Sequence, residues 1–433
     1  MYIDNILFAI ILLIGIGFFA KNVIKLKRNI NLGQDVNRSD NSSERWKNMA
    51  MIALGQSKMV KRPIAGFLHI IVYAGFVIIN IEVLEIIIDG LFGTHRIFSF
   101  IGSFYGFLIG SFEVLAVLVL ITVVIFWVRR NVIRLKRFTN SDLNGAPKKD
   151  ADIILYFEVV LMSLLLIMNA FDLHFQEMNS GNIISRYFSP SPETFSLVTV
   201  EIIERAAWWL HIIGILIFLN YLYYSKHLHI LLAFPNTYFA DLNPQGQFDN
   251  LESVTKEVKL MMDPNADPFA AQPVDDSVAP TKFGASDVQD LNWVQLLNAY
   301  TCTECGRCTS SCPANQTGKK LSPRKIMMDT RDRMEEVGRN IDANKGVFVP
   351  DNKSLLNDYI TPEELWACTS CNACVEECPV NISPLSIIMD MRRYLVMEQS
   401  AAPQSLNAMM TNIENNGAPW QYSQQDRLNW KNE

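Results

Sequence analysis

Five stretches of mostly apolar residues, near 4–21, 66–88, 104–128, 152–172 and 206–232, dominate the first half of this chain. A hydrocarbon layer about 30 Å thick needs roughly 20 such residues as helix. In lipid each backbone amide must bond within its own segment, so these stretches predict five transmembrane helices. The first opens on Asp4 and runs into a basic segment from Lys21, the reverse of a signal peptide's polarity, and is read as the first span. Segment 21–62 carries ten Lys or Arg and segment 129–150 carries seven, whereas the other two loops carry Arg96 and Arg186, with Arg205 at the edge of the fifth stretch. Five buried helices of a soluble protein would leave that asymmetry without a cause. The positive-inside rule puts the N-terminus outside and everything after about residue 232 on the cytoplasmic side of a bacterial inner membrane. Trp208 and Trp209 fall at the outer aromatic belt. A net charge of −6 gives no support for a nucleic-acid partner.

All eight cysteines follow residue 300, in two runs. Cys302, Cys305, Cys308 and Cys312 precede Pro313; Cys368, Cys371, Cys374 and Cys378 precede Pro379. Both runs have the spacing C-x-x-C-x-x-C-x-x-x-C-P of two-cluster ferredoxins, in which the fourth cysteine serves the other cluster. The expected ligand sets are therefore Cys302, Cys305, Cys308 and Cys378 for one [4Fe-4S] cluster, and Cys368, Cys371, Cys374 and Cys312 for the second. Zinc uses C-x-x-C pairs but has no need of a third cysteine in register, twice. A reducing cytoplasm argues against disulfides.

The expected organisation is an all-α bundle of five membrane helices over 1–235, then a polar extended linker over 236–287. A mostly helical dicluster ferredoxin domain over 288–400 and a partner-docking tail over 401–433 follow. The linker centre, from Met261 to Ser286, is rich in Pro, Asp and Ala.

Six histidines are present, none after a C-x-x-C, so covalent c-type haem is not expected. His69 lies in the second span, toward its inner end. His211 and His229 stand 18 residues apart on the fifth stretch, five whole turns, and hence on one face about 27 Å apart. His227 would then point nearly opposite. That placement suits two stacked haems b, with His69 as the axial partner of His229. For His211, His174 or His95 is the available partner. Among the outer acids Glu82, Glu85, Glu113 and Asp172, Glu82 and Glu85 are candidates for accepting quinol protons.

These residues resemble a known group. KRPIAGFLH (Lys61 to His69) and YYSKHLHILLAFPN (Tyr223 to Asn236) resemble the nitrate-reductase gamma-subunit-like membrane cytochromes b. That resemblance implies five spans and two haems b. The segments Cys302 to Asp332 and Trp366 to Val380 resemble the iron–sulfur subunit of heterodisulfide reductase. The gamma subunits carry two histidines on the second helix, where this chain has only His69. The tail Ile413 to Trp430 resembles the connector that leads into cysteine-rich CCG domains in fused relatives, which implies a separate cytoplasmic CCG-type iron–sulfur partner.

The chain thus reads as an electron-transfer subunit of a quinone-linked oxidoreductase complex. No catalytic nucleophile, open metal position or nucleotide loop stands in it. A haem-free anchor for a ferredoxin module and a redox-sensing module are the alternatives. A transporter is disfavoured, since no paired broken helices suggest inverted repeats.

Overall fold

The computed structural model describes residues 3–178, 181–191, 193–265 and 282–432, and the part of the expected linker over 266–281 lies outside them. Among the described residues, five helices are long and apolar enough to cross a membrane. They are α1 (Ile3–Ile30), α2 (Pro63–Phe92), α3 (Ser103–Asn131), α4 (Ala146–Phe171) and α5 (Leu197–Tyr221). Each packs on the next, and α5 returns to α1, so the bundle closes on itself. Small residues set the closest approaches: a Cβ on Gly75 would lie 2.6 Å from Val119, and one on Gly90 2.7 Å from the Phe8 ring. The interior is Phe8, Ile79, Ile109, Phe112, Leu165 and Ile212 with their neighbours. The outward faces expose Leu, Ile and Phe, as lipid-facing surfaces do.

The fifth span differs from the expected one. It begins at Leu197, nine residues early, and its α-helix ends at Tyr221. A single turn over Leu222–Tyr224 follows, and Ser225 then adopts an extended conformation. The Ser225 hydroxyl accepts from the His227 amide to start a new turn, and α6 (His229–Tyr238) sets off from there. His211 and His229 are therefore not on one continuous helix, and the five-turn relation between them does not hold.

The second half is helical, with α7 (Trp293–Thr301), α8 (Pro323–Ala343) and α9 (Pro384–Arg393) as its frame. Local signals explain the starts. Asn292 and Gln295 form a capping box, while Ser322 and Ser383 each cap a helix with Pro at its first position. The Ser-Pro start recurs after each cysteine run, so the internal repeat extends beyond the cysteines.

The two halves form one body. Leu26, Leu228 and Leu232 enter the core that holds Leu296, Met327, Met334 and Ile387. Asn29, at the end of α1, donates to the Tyr300 hydroxyl at 2.8 Å. Arg324, fully buried, pairs with Asp142 of the loop between α3 and α4. The dicluster half thus sits at the end of the bundle that carries both basic loops. The helix Gln404–Asn416 in the tail buries none of its residues, and Trp420, Tyr422, Leu428 and Trp430 beyond it are exposed.

Candidate metal centres

Each cysteine run wraps in the same way. Glu304 and Gly306 take positive φ (54° and 72°), and Ser370 and Asn372, at equivalent positions, take 57° and 59°. Two left-handed residues two apart curl a loop so that its first three thiols face one volume. Glycine takes that conformation without strain at 306, and asparagine is the next most tolerant residue at 372. Gly306 has a further reason: a Cβ there would lie 2.6 Å from Arg324 Nη1 and 3.0 Å from the Arg137 carbonyl oxygen.

The first loop closes over a cavity lined by Cys302, Cys305, Cys308 and Cys378, with Cys374 also at its wall. Cys378 comes from the second run, 70 residues after Cys308. Cys312, from the first run, lies instead within electrostatic reach of Cys368 and Cys374. Among the described residues no three His, Cys, Asp or Glu side chains converge on a point for a single ion; the thiols surround a volume. Burial pushes the Cys302 and Cys374 thiols up to about 12 and Cys378 up to about 11. Such thiols stay protonated at neutral pH until a metal takes them as thiolates. The donor set and the loop shape both fit cubane clusters, which are wider than one ion. Cys371 is exposed, whereas Cys302, Cys312 and Cys374 are buried.

The first loop is held against the membrane half by charge. Glu304, between Cys302 and Cys305, pairs with Lys226 at 2.5 Å and with Arg331 at 2.9 Å. Burial pushes its carboxyl up, but those two cations outweigh it and leave it below the ordinary range. Arg307 donates to the carbonyls of Lys58 and Met59, both at 3.2 Å. That segment folds back over the start of α2, where a Cβ on Gly66 would lie 2.8 Å from Val60.

His69, three residues on, lies within electrostatic reach of His229 and Arg307. Its Nδ1 is buried without a hydrogen-bond partner. His229 Nδ1 lies 2.9 Å from the Lys226 carbonyl oxygen, a bond that makes Nδ1 the donor and leaves Nε2 as a free acceptor. A backbone carbonyl on the far nitrogen is the usual support of an imidazole metal ligand. The structure corrects one expectation here. The break at Ser225 turns His227 toward His229, ring centroids 5.6 Å apart, rather than nearly opposite.

Inside the bundle, mid-way along α5, His211 is buried, and both ring nitrogens lack a hydrogen-bond partner, although the Leu161 backbone lies close by. His174 does not lie on α4; it sits on the short helix Leu173–Glu177, exposed, with its ring 5.2 Å from that of His95. His95 is engaged with Asp172 at 2.8 Å.

Glu82 and Glu85 are each 1% exposed, inside the bundle. The residue that explains them is Arg96, which the sequence supplied only as a loop charge. It donates to Glu82 at 3.0 Å and to Asn169 at 2.6 Å, and lies 3.8 Å from both Glu85 and Asp172. Tyr105 donates to Glu85 at 3.0 Å. Beside this network a cavity of about 300 Å³ opens between α1, α2 and α5, lined by Phe8, Trp208, Trp209, Glu85, Asp172 and His95 among others. Glu113 is fully buried and accepts from the Ile184 and Ser185 amides.

Residues 301–382 match the family described as 4Fe-4S dicluster domain. The cysteine-bearing part is therefore a 4Fe-4S ferredoxin domain. Over 461 aligned residues the chain is 28% identical to the probable iron-sulfur-binding oxidoreductase FadF of Bacillus subtilis, covering 99% of this chain and 61% of that protein. It is 26% identical to the EtfAB:quinone oxidoreductase of Syntrophomonas wolfei, covering 92% of this chain and 55% of that one. The chain therefore spans less than two thirds of either relative. Over 109 residues, 25% of this chain, it is 32% identical to one of the subunits of the ferredoxin/F(420)H(2)-dependent CoB-CoM heterodisulfide reductase of Methanosarcina acetivorans, covering 53% of that protein. No solved structure matches. The chain is thus similar along most of its length to iron–sulfur oxidoreductases and, around its cysteines, to a heterodisulfide reductase subunit, and it joins five membrane-length helices to a 4Fe-4S dicluster domain.

Proposed function

We propose that this chain carries electrons between a quinone pool in a bacterial inner membrane and a separate cytoplasmic CCG-type iron–sulfur subunit, by way of haem b and two [4Fe-4S] clusters. In this reading 1–235 is the membrane cytochrome, 236–287 the connecting segment, 288–400 the dicluster domain and 401–433 the docking tail. The single observation that carries it is the junction. The His69–His229 pair and the cysteine loop around Cys305 meet there, with Lys226 bonded to both His229 and Glu304.

Cys302, Cys305, Cys308 and Cys378 would hold the cluster nearer the membrane. Cys368, Cys371, Cys374 and Cys312 would hold the one nearer the surface, where the exposed Cys371 marks the exit toward the partner. When bound, such centres supply one-electron carriers whose potentials follow ligation, charge and burial. His69 and His229 would hold an inner haem. His211, with two unpartnered nitrogens, would ligate an outer haem or border the quinone, with His174 or His95 as the nearest imidazoles to consider. Glu82 and Glu85 exceed the charge of Arg96 that pairs with them, which suits carboxyls that exchange a proton with quinol beside the aromatic-lined cavity. Similarity to an EtfAB:quinone oxidoreductase supports the quinone, and the resemblance to nitrate-reductase gamma-like cytochromes b supports the haem. The basic loops at the dicluster end support an N-terminus outside.

The test is a pyridine haemochrome assay with iron and acid-labile sulfide analysis on detergent-purified protein. Haem b together with about eight non-haem irons supports the reading. Eight irons without haem would reduce the membrane half to an anchor.

A further inference from the structure

The two cysteine loops are built alike, and one charge sets the first apart from the second. Arg331 and Arg392 occupy equivalent places, each nine residues after the serine that caps its helix, Ser322 and Ser383. Each turns back on its own loop: Arg331 pairs with Glu304 at 2.9 Å, and Arg392 donates to the Cys368 carbonyl at 2.5 Å. That cation is common to both halves. Immediately before the third cysteine, however, the first run has Arg307 and the second has Ala373.

Arg307 lines the cavity that Cys302, Cys305, Cys308 and Cys378 enclose, and it is 4% exposed. Its guanidinium donates to the Lys58 and Met59 carbonyls, at 3.2 Å each, and to the Met59 sulfur, all neutral acceptors. The other charges at this wall are answered. Arg324 pairs with Asp142, Arg62 pairs with Glu377 at 2.8 Å, and Glu304 is held by Lys226 and Arg331. Arg137, whose Cβ would lie 3.5 Å from a Cβ on Gly306, sets its guanidinium over the Phe138 ring at 4.7 Å. Among the described residues no carboxylate pairs with Arg307, so its charge is left to act on the thiolates.

A cubane held by thiolates is an anion, and taking up an electron makes it more so. A water-poor site resists that step, because charge is costly to desolvate. The first loop is covered by the end of the bundle, with Gly306 against Arg137 and Arg307 against Lys58 and Met59, whereas the second presents the exposed Cys371. Burial alone would make the membrane-side cluster the harder of the two to reduce. A buried cation acts in the opposite sense, since it stabilises the reduced form more than the oxidised one. We infer that Arg307 sets the potential of the membrane-side cluster, raising its electron affinity to offset the burial that the second cluster, beside Ala373, is spared. The inference rests on the ligand sets proposed above. One electron delivered to the pair is then not stranded on the surface cluster.

The test is potentiometric reduction of the full-length protein in detergent, with both clusters loaded, followed by electron paramagnetic resonance. Cys371→Ser, which removes a ligand of the second cluster alone, tells the two signals apart. Arg307→Gln should lower the electron affinity of the first cluster by about tenfold or more, about 59 mV for one electron, and leave the second within about threefold. Arg307→Lys, which keeps the charge, should recover most of that difference. Ala373→Arg should raise the second cluster instead. An unchanged first potential in Arg307→Gln, at wild-type iron and sulfide content, would overturn the inference. An equal shift in Arg307→Gln and Arg307→Lys would also overturn it, leaving a structural tie between loop and bundle. If Arg307→Gln does not load iron, Ala373→Arg still decides, because an unchanged second potential would show that a cation at this place does not act on a cluster. A shift confined to the signal that Cys371→Ser removes would overturn the crossed ligand sets. A wild type with one cluster signal and about four irons would overturn the two-cluster reading itself.

Discussion

The ammonium of Lys226 sits 2.5 Å from Glu304 Oε2, while the carbonyl of the same residue receives the Nδ1 proton of His229 at 2.9 Å. One residue thus fixes the orientation of a membrane-side imidazole and the position of a cysteine loop. Both side chains are nearly inaccessible, at 10% and 3% exposure, so the pair has little water to fall back on. Removing one partner of a buried pair typically costs about 3–5 kcal/mol, because the other charge is stranded. Arg331 shares Glu304 and tempers that loss. Lys226→Ala should therefore loosen the junction by about 2–4 kcal/mol, visible as faster limited proteolysis between the halves in detergent.

Cys308→Ser removes one thiol from the cavity that also holds Cys302, Cys305 and Cys378. The signal of the first cluster should disappear in electron paramagnetic resonance, with the second cluster and any haem absorbance retained. Loss of both cluster signals would show that the two loops fold only together.

Substitution of the histidines separates ligand from neighbour. His69→Ala and His229→Ala should each abolish the inner haem band, and His227→Ala should leave most of it. His227 lies close enough to His229 to make this a real choice. Retention of haem by His229→Ala with its loss in His227→Ala would move the ligand by two residues.

Arg96 neutralises carboxylates on α2 and beside α4 from inside the bundle. Arg96→Met should cost about 3–5 kcal/mol through stranded Glu82 and Glu85, read as a lower midpoint in thermal unfolding in detergent. Arg96→Met combined with Glu82→Gln and Glu85→Gln should recover much of it.

Asp342 ties α8 to α1 through Lys25 and Arg28. The hydrogen bonds from Lys25 and Arg28 hold its carboxyl below the ordinary 3.8. A depressed carboxyl contributes stability that is present above its unfolded value and lost as pH falls through the folded one. Wild type should therefore exceed Asp342→Asn in stability by a constant margin from pH 5 to 8. That margin should close below about pH 4. Because the pair is a third exposed, salt should shrink the margin as well.

The spans and the cysteine loops were readable because both are written as local spacing: apolar length in one case, C-x-x-C register in the other. The break in the fifth helix was not. Ser225 follows two tyrosines with neither Gly nor Pro to mark an end, and a 100° periodicity argument assumes the very continuity that Ser225 interrupts. The available signal was the serine itself, a good cap for the turn that starts at Lys226. Arg96 was invisible for a different reason. Its partners come from 14, 11 and 76 residues away in sequence, and only the folded bundle turns a loop cation inward. Arg62 and Arg137 likewise counted only as topology charges, since a count of basic residues carries no information about who faces whom.

Helix α1 runs 28 residues, about 42 Å, well beyond the 30 Å that a hydrocarbon layer occupies. Its last turns lie against α7 and α8, with Asn29 bonded to Tyr300 and Lys25 and Arg28 to Asp342. The ferredoxin is consequently bolted to the bundle and does not swing on a tether. In the proposed function, transfer across the junction would be a matter of a fixed tunnelling gap, so its rate should be indifferent to solvent viscosity, unlike that of a carrier that must diffuse to its donor.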